Sequence, residues 1–158
     1  PARVSNAQAR YMIKKLNLRP GKRFLDCPCG IGRIAIPLAK KGIRVTGVDI
    51  DEDYVRKARR RIRKAGLEQC VEVQLESVYS HDGGPYDAVY FSSSFMLLPD
   101  PKAALEHVAG LLRPGGRVYF TQTFQERRSA LVERGASLSG RRCLFEEMKD
   151  IRVYIRMR

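Results

Sequence analysis

The sequence predicts an α/β fold in which helices cover both faces of a mostly parallel sheet, and three observations lead to this prediction. Short β-branched and apolar runs alternate along the chain with longer amphipathic segments, as in a parallel sheet with helical crossovers. The run over 43–48 is β-branched and apolar enough for a buried parallel strand. Glycine-containing turns separate the runs. A chain of 158 residues that is 44% hydrophobic can bury one substantial core, so we predict a single domain over 1–158.

The predicted elements follow one another in a regular order. Residues 1–22 are expected to form an N-terminal helix and a turn, and residues 23–124 a core of strands and helices. The predicted helices cover 6–18, 33–41, 51–65 and 101–112, and the predicted strands cover 24–26, 43–48, 71–75, 86–91 and 116–124.

The last segment, 125–158, is predicted to be a shortened C-terminal helix and an edge strand. Four apolar residues from Ile151 to Met157 alternate with polar or charged ones, which indicates a half-buried strand. No second strand follows to complete a hairpin, so we expect one edge of the sheet to be open.

The segment over 24–51 combines a strand, a glycine turn, a helix, a second strand and an acid. Gly30 and Gly32 let the backbone turn tightly and approach a ligand closely. Asp49 stands at the carboxyl end of the second strand, about 20 residues beyond the glycines, where a carboxylate can accept both hydroxyls of a ribose. A purely structural turn is the alternative. The segment lacks the Lys-Ser/Thr of a phosphate-binding loop and has Pro28 where dinucleotide-binding sequences have glycine, so a nucleoside without a pyrophosphate fits better.

Several motifs of the chain resemble those of the class I S-adenosylmethionine-dependent methyltransferases. The first two motifs of that family are similar to the run Leu25-Asp26-Cys27-Pro28-Cys29-Gly30-Ile31-Gly32 and to the pair Val48-Asp49. Residues 86–91 resemble its fourth strand, and residues 111–120 its helix end, turn and fifth strand. The resemblance covers roughly 6–124 and implies a Rossmann-like three-layer sandwich that binds S-adenosylmethionine at the carboxyl ends of its strands.

The resemblance also implies roles for individual residues. Asp49 is expected to bind the ribose hydroxyls and Ile50 to cover one face of the adenine. Glu76 stands where family members often have an acid near the adenine amino group, and a solvated acid at a strand end is the alternative. The residues assigned to cofactor binding are Asp26, Cys27, Pro28, Gly30, Gly32, Asp49, Ile50, Glu76, Ser77 and Ser92.

The loop after the fourth strand is where the resemblance places the methyl acceptor. The hydroxyls of Ser92, Ser93 and Ser94 could orient a substrate, and a small polar loop is the alternative. The apolar residues over 95–97 are expected to form one wall of a small acceptor pocket. The loop does not match the Asn/Asp-Pro-Pro-aromatic motif of the family's amide- and adenine-modifying branches. The motifs therefore do not identify the acceptor atom.

No catalytic residue is assigned from the sequence. Methyl transfer from a sulfonium is an in-line displacement on an activated electrophile, so positioning is expected to carry most of the catalysis. His81 and His107 are the side chains that titrate near neutral pH. We place His81 in a polar loop at the amino-terminal edge of the fourth strand, opposite the cofactor, and His107 in the middle of a helix. Neither is predicted to act as a general base.

The charge of the chain bears on its partners. Its 30 Lys and Arg against 17 Asp and Glu give a net charge of +13, which favours polyanions at low salt. The densest basic cluster, over 56–64, is predicted to lie on a helix away from the substrate mouth, where a solvated helix face explains it equally well. We therefore predict methyl transfer to a small-molecule or lipid acceptor, with an RNA methyltransferase or an inactive cofactor-binding partner subunit as the alternatives.

The four cysteines predict neither a metal site nor a disulfide framework. Cys27 and Cys29 flank one residue of the glycine turn, while Cys70 and Cys143 stand alone. No apolar run approaches the roughly 20 residues of a membrane helix and no secretory signal is evident, so a cytoplasmic location is expected. Because the chain begins at Pro1, an organelle address could have been lost with a preceding segment.

Overall fold

The computed structural model describes residues 2–92 and 94–121 and contains a five-stranded sheet. All strand pairs are parallel, and the strand order is β3-β2-β1-β4-β5. The elements in chain order are α1 (Ala2–Lys15), β1 (Arg23–Asp26), α2 (Ala35–Ala39), β2 (Arg44–Asp49), α3 (Glu52–Lys64), β3 (Val71–Leu75), β4 (Tyr86–Ser92), a 3₁₀ turn (Phe95–Leu97), α4 (Pro101–Gly110) and β5 (Leu112–Thr121). The predicted α/β fold with a parallel sheet is confirmed, while the predicted segment 125–158 lies outside the described residues.

The central strand β1 separates the two halves of the sheet. The chain builds β2 and β3 on one side of β1 and then returns to build β4 and β5 on the other side. A reversal of this kind leaves a crevice at the carboxyl ends of the two strands between which the order changes. The fold therefore places the ends of β1 and β4, with the turn that follows β1, at the expected binding crevice.

Two apolar clusters hold the three layers together. Alternate residues of β1 face opposite sides of the sheet, so Phe24 belongs to one cluster and Leu25 to the other. Helices α1, α2 and α3 pack in the cluster with Phe24, and α4 packs in the cluster with Leu25. In the parts of the chain that the structure covers, no helix has the length and apolar composition needed to cross a membrane.

The predicted boundaries of α2 and β5 are wrong. Helix α2 covers only Ala35–Ala39, because the turn after β1 continues through Ile34 before regular helix begins. Strand β5 begins at Leu112, earlier than predicted, because Leu112 already pairs with Tyr86 before the register shifts and Arg117 pairs with Ala88. Neither shift moves the carboxyl ends of the strands.

Helix α1 is fastened to the sheet by polar contacts as well as by packing. Gln8 Nε2 donates a hydrogen bond to the hydroxyl of the buried Tyr90 at 2.7 Å. That hydroxyl also lies 2.8 Å from Thr121 Oγ1 on β5. The N-terminal helix is thereby connected to two strands of the half of the sheet that leads to the predicted acceptor loop.

Candidate functional site

The turn that follows β1 extends the sheet at its carboxyl end. The Cys27 N–H donates to the carbonyl of Tyr90 on β4, and the Cys29 N–H donates to the carbonyl of Val48 on β2, both at 2.9 Å. The turn is thus held between β2 and β4 directly above β1. This arrangement brings the backbone of the turn next to Asp49, the last residue of β2.

Glycine is required at the two turn positions that the sequence indicated. Gly30 has φ of +51° and Gly32 has φ of +72°, both in the left-handed region that favours glycine. A third glycine, Gly47 on β2, supports the turn from below and was missed by sequence reasoning. A Cβ at Gly47 would lie 2.8 Å from the Cβ of Cys29, so this position must be small for the turn to fit. A glycine inside a β-branched run is the signal that could have found it.

Asp49 joins the second strand to the turn. Its side chain is buried, its Oδ2 accepts the N–H of Gly30 at 2.8 Å, and its Oδ1 accepts the N–H of Asp51 at 3.0 Å. Each carboxylate oxygen has two lone pairs, so both oxygens keep capacity for a further donor. The geometry is compatible with the predicted contact to two ribose hydroxyls.

Asp26 is the most unusual polar group of the site. It is 1% exposed, and neither of its carboxylate oxygens has a hydrogen-bond partner in the described part of the chain. Burial, together with the charge of Asp49, raises the pKa of Asp26 to about 8, and the nearby Ala35 N–H, which lies outside hydrogen-bonding geometry, opposes this only in part. Burying a carboxylate that has no hydrogen-bond or charge partner costs free energy unless a ligand supplies that partner. The ammonium and sulfonium charges of S-adenosylmethionine are suitable partners, so the residues present fit that group.

The other predicted members of the turn have different environments. Cys27 and Cys29 are both buried, and burial first, then the charge of Asp26, raises the pKa of each thiol. Pro28 is half-buried and has no N–H to offer a ligand, whereas the side chain of Ile50 is 77% exposed at the rim. Among the described residues, no group of three His, Cys, Asp or Glu side chains could hold a metal ion. Cys143 lies outside them.

Glu76 stands beside Asp49 at the carboxyl end of the neighbouring strand. Its N–H donates to the carbonyl of Asp49 at 3.0 Å, which continues the pairing of β2 and β3. Its carboxylate Oε2 lies 2.8 Å from Nδ1 of His81, and the Glu76 side chain remains 27% exposed. Ser77 begins a turn in which its hydroxyl accepts the N–H of Tyr79 at 3.3 Å. The acid therefore lies beside Asp49 at the carboxyl end of β3, with a histidine as an unexpected neighbour.

His81 lies in the predicted loop before β4, but the expectation that it lies opposite the cofactor is wrong. The residue is 2% exposed, and its imidazole lies between Glu76, which follows β3, and Tyr86, the first residue of β4. The reason is the tight turn after β3, in which the His81 N–H donates to the carbonyl of Ser77 at 3.1 Å and folds the chain back below Glu76. His107 is also engaged, because its Nε2 donates to the carbonyl of His81 at 2.7 Å.

The predicted acceptor wall is only partly where it was expected. Phe95 packs in the core instead, stacked on Phe120 with 5.0 Å between ring centroids and edge-on to Phe91 at 5.4 Å. Leu97 is 80% exposed and Ser92 is half-buried at the end of β4. Ser93 lies outside the described residues.

The basic cluster on α3 is partly used by the fold itself. Arg59 donates to the carbonyl of Val73 through Nε at 3.0 Å and Nη2 at 2.7 Å. Arg61 Nη1 donates to the carbonyl of Ile31 at 2.6 Å and so reaches the glycine turn. Two of these arginines therefore hold backbone carbonyls, one of them in the glycine turn, although the cluster had been explained equally well as a solvated helix face.

The chain matches a known protein family and individual relatives. A methyltransferase domain family matches residues 25–118, more than half of the chain. The chain is 36% identical over 137 residues to an S-adenosyl-L-methionine-dependent Diels-Alderase, iliD, of Neonectria sp. (strain DH2), a match that covers 86% of this chain and 52% of that protein. It is 32% identical over 110 residues to a ubiquinone biosynthesis O-methyltransferase of Xylella fastidiosa (strain M23), covering 69% of this chain and 44% of the relative.

Solved structures show the same fold. A putative S-adenosyl-L-methionine-dependent methyltransferase from Methanococcus maripaludis superposes with a TM-score of 0.72 at 20% identity, over 84% of this chain and 63% of that one. The [4+2]-cyclase SpnF superposes with a TM-score of 0.70 at 25% identity, over 74% of this chain and 44% of that one. The chain spans about half the length of the curated relatives it matches. With the matched domain, the glycine turn and the acid at the end of β2 in place, this chain belongs to the class I S-adenosylmethionine-dependent methyltransferase family.

Proposed function

We propose that this chain binds S-adenosylmethionine at the carboxyl ends of β1, β2 and β3 and transfers its methyl group to a small-molecule or lipid acceptor. The observation that carries the proposal is Asp26, a buried carboxylate without a partner, next to Asp49 in a turn built on positive-φ glycines. Two buried carboxylates in one crevice favour a cationic ligand, and the ribose of a nucleoside suits the second of them.

The residues of the site then have separate tasks. Asp49 orients the ribose while it braces the turn through the N–H of Gly30, and Asp26 neutralises the positive end of the ligand. Glu76 accepts from the exocyclic amino group of the adenine, and the exposed side chain of Ile50 covers the ring. When bound, S-adenosylmethionine supplies an electrophilic methyl group. The chain itself supplies position and a suitable electrostatic environment.

Two observations support a small acceptor over RNA. A relative is named as a ubiquinone biosynthesis O-methyltransferase, which is an enzyme of small-molecule chemistry. In addition, Arg59 and Arg61 donate to backbone carbonyls within the fold, so the basic helix is less available for phosphates than its composition suggests. Absence of tRNA or rRNA binding at about 50 mM salt is the expected result, and salt-dependent retention of either would favour the RNA alternative.

Isothermal titration with S-adenosylmethionine tests the cofactor half of the proposal. We expect binding by the parent chain and a loss of roughly tenfold or more in Asp49→Ala. Asp51→Ala is the matched control, since it removes the side-chain cap of α3 but leaves the Asp51 N–H that Asp49 accepts. Lack of binding by the parent chain would overturn the proposal.

Methyl transfer is tested separately with labelled cofactor over fractionated small-molecule and lipid extracts. Incorporation of label into a product is the expected result. Binding without incorporation in any fraction would favour the inactive partner subunit.

A second function is favoured by the names of two relatives. The Neonectria relative is a Diels-Alderase and SpnF is a [4+2]-cyclase. If this chain has an activity of that kind, the cofactor is retained and the product is an isomer of its substrate. Mass spectrometry of the product separates the two functions, because methyl transfer adds one CH₂ unit and cyclisation leaves the mass unchanged.

A further inference from the structure

A buried chain of three polar side chains runs from the rim of the site into the core. Glu76 Oε2 lies 2.8 Å from His81 Nδ1, and His81 Nε2 lies 2.8 Å from the hydroxyl of Tyr86. His81 is 2% exposed and Tyr86 is 1% exposed, so solvent does not compete for the inner contact, whereas Glu76 remains 27% exposed at the outer one. Because the ring is 2% exposed and both of its nitrogens contact protein groups, the imidazole is placed to orient its neighbours rather than to take a proton from a substrate.

The contacts assign the proton positions on the imidazole. A carboxylate accepts hydrogen bonds but cannot donate them, so Nδ1 of His81 carries the proton that Glu76 accepts. Burial raises the pKa of the Tyr86 hydroxyl, which therefore keeps its proton and can donate it to Nε2. Both ring nitrogens are satisfied in this arrangement, and the carboxylate oxygen Oε2 is held in one position.

The surrounding loop is built to hold the imidazole. A Cβ at Gly83 would lie 2.6 Å from His81 Nε2 and 2.7 Å from the Tyr86 hydroxyl, so only glycine leaves room for this contact. His107 on α4 holds the main chain of the same residue through its carbonyl. The rings of His81 and Tyr86 also stack, with centroids 5.8 Å apart. Three separate elements thus fix the ring that contacts Glu76.

We propose that His81 is a positioning residue that fixes the carboxylate of Glu76, so that its second oxygen, Oε1, is left to accept from the exocyclic amino group of the adenine. This inference rests on the proposed function, in which Glu76 reads that amino group. In this arrangement the specificity for an adenine over a 6-oxo purine depends on the imidazole, although the imidazole never touches the ligand.

The test compares two ligands that differ at that group, S-adenosylhomocysteine and its 6-oxo analogue. We expect His81→Leu to weaken binding of the amino ligand roughly tenfold and to change binding of the 6-oxo ligand by less than about twofold. His81→Asn keeps a donor near the position of Nδ1 and is expected to restore most of the preference. In a Glu76→Gln background, His81→Leu should cause no further loss of preference.

Several outcomes would overturn the inference. If His81→Leu weakens both ligands by the same factor, the role of His81 is merely structural. If it changes the affinity for neither ligand, His81 has no role in binding. Lack of binding of either ligand by the parent chain would overturn the proposed function as well, and the parent titration identifies that case.

A measurement on the free protein tests the contact without any ligand. Long-range ¹H–¹⁵N NMR spectra of the imidazole should show a proton on Nδ1 of His81, and a proton on Nε2 alone would contradict the assignment. Thermal unfolding of each variant confirms that the titrations compare folded proteins.

Discussion

Asp26 and Asp87 lie near opposite ends of the neighbouring strands β1 and β4, and their surroundings differ sharply. Asp26 ends β1 at the carboxyl edge, and neither of its oxygens has a hydrogen-bond partner in residues 2–92 or 94–121. Asp87 stands at the amino end of β4, where it accepts the N–H of Arg23 at 2.8 Å. Its Oδ1 also lies 3.0 Å from Lys22 Nζ and 3.3 Å from Arg113 Nε.

The two environments move the carboxyl pKa values in opposite directions. Burial and the charge of Asp49 raise the pKa of Asp26 to about 8. Burial also acts to raise the pKa of Asp87, but the Arg23 N–H and the cations Lys22 and Arg113 outweigh it and lower that pKa. The amino edge of the sheet is therefore completed by the chain itself, whereas the carboxyl edge retains an electrostatic cost that a cationic ligand would relieve.

The largest expected effect comes from removing the charge of Asp26. Asp26→Asn should weaken S-adenosylmethionine binding by roughly ten- to a hundredfold, because a buried carboxylate paired with a cation contributes about 1.5–3 kcal/mol. The same change should raise the free energy of unfolding on the order of 2 kcal/mol at pH 9, because it removes an unpaired buried charge. Titration calorimetry and denaturant unfolding measure the two effects. A destabilised variant would contradict the picture of an orphaned carboxylate.

The pH dependence of binding is the next largest effect. The folded pKa of Asp26, about 8, lies above its ordinary value of 3.8, so the free protein keeps this proton at neutral pH, and a bound cation expels it. Affinity should therefore rise about tenfold from pH 7 to pH 9 and then level off. Asp26→Asn is the control, because any titration of the ligand's own amino group persists in it. A parent chain and variant with parallel pH profiles would contradict the prediction.

The same titration bears on the stability of the free protein. Between pH 4 and pH 8 the folded state holds the Asp26 proton more tightly than the unfolded state does, so this residue makes the free energy of unfolding fall as pH rises through that window. The contribution of Asp87 has the opposite sign. Its lowered pKa gives stability that is present above the ordinary carboxyl pKa and is lost as pH falls through the folded value.

Features of the site that arise within one short segment could be predicted from the sequence. The strand, the turn and the acid at the end of β2 follow from local periodicity and from glycine spacing, and Gly30 and Gly32 do have positive φ. The parallel sheet followed from the alternation of strand and helix patterns.

Features that depend on contacts between segments could not be predicted in this way. The burial of His81 against Glu76 was missed because a single tight turn after Ser77 reverses the chain, and polar loop composition does not specify that reversal. Arg61 likewise donates to the carbonyl of Ile31 in the glycine turn, thirty residues earlier in the chain. Asp26 lacks a hydrogen-bond partner because of how several separate segments pack around it, and a local sequence motif does not encode that packing.

At the amino edge, Asp87→Asn provides the converse of the Asp26 substitution. We expect a loss of about 1–2 kcal/mol in the free energy of unfolding at pH 7, because Lys22 and Arg113 lose their shared anion while the Arg23 N–H keeps an acceptor. The value is modest because both cationic side chains are about 40% exposed and screened by solvent. Cofactor affinity should be unchanged. A loss of affinity in folded Asp87→Asn would break the distinction between the two edges.

The smallest effect comes from a matched pair of glycines, one at each edge. Gly30 has φ of +51° and Gly21, in the turn before β1, has φ of +85°, and an added Cβ at either position meets nothing within 4 Å. Alanine should therefore cost each about 1–2 kcal/mol of stability through backbone strain alone. Only Gly30→Ala should also weaken cofactor binding, by roughly fivefold, because its N–H positions the carboxylate of Asp49. Equal affinities in the two variants would show that the turn after β1 tolerates strain without moving Asp49, and the assignment of that turn to the cofactor would lose its support.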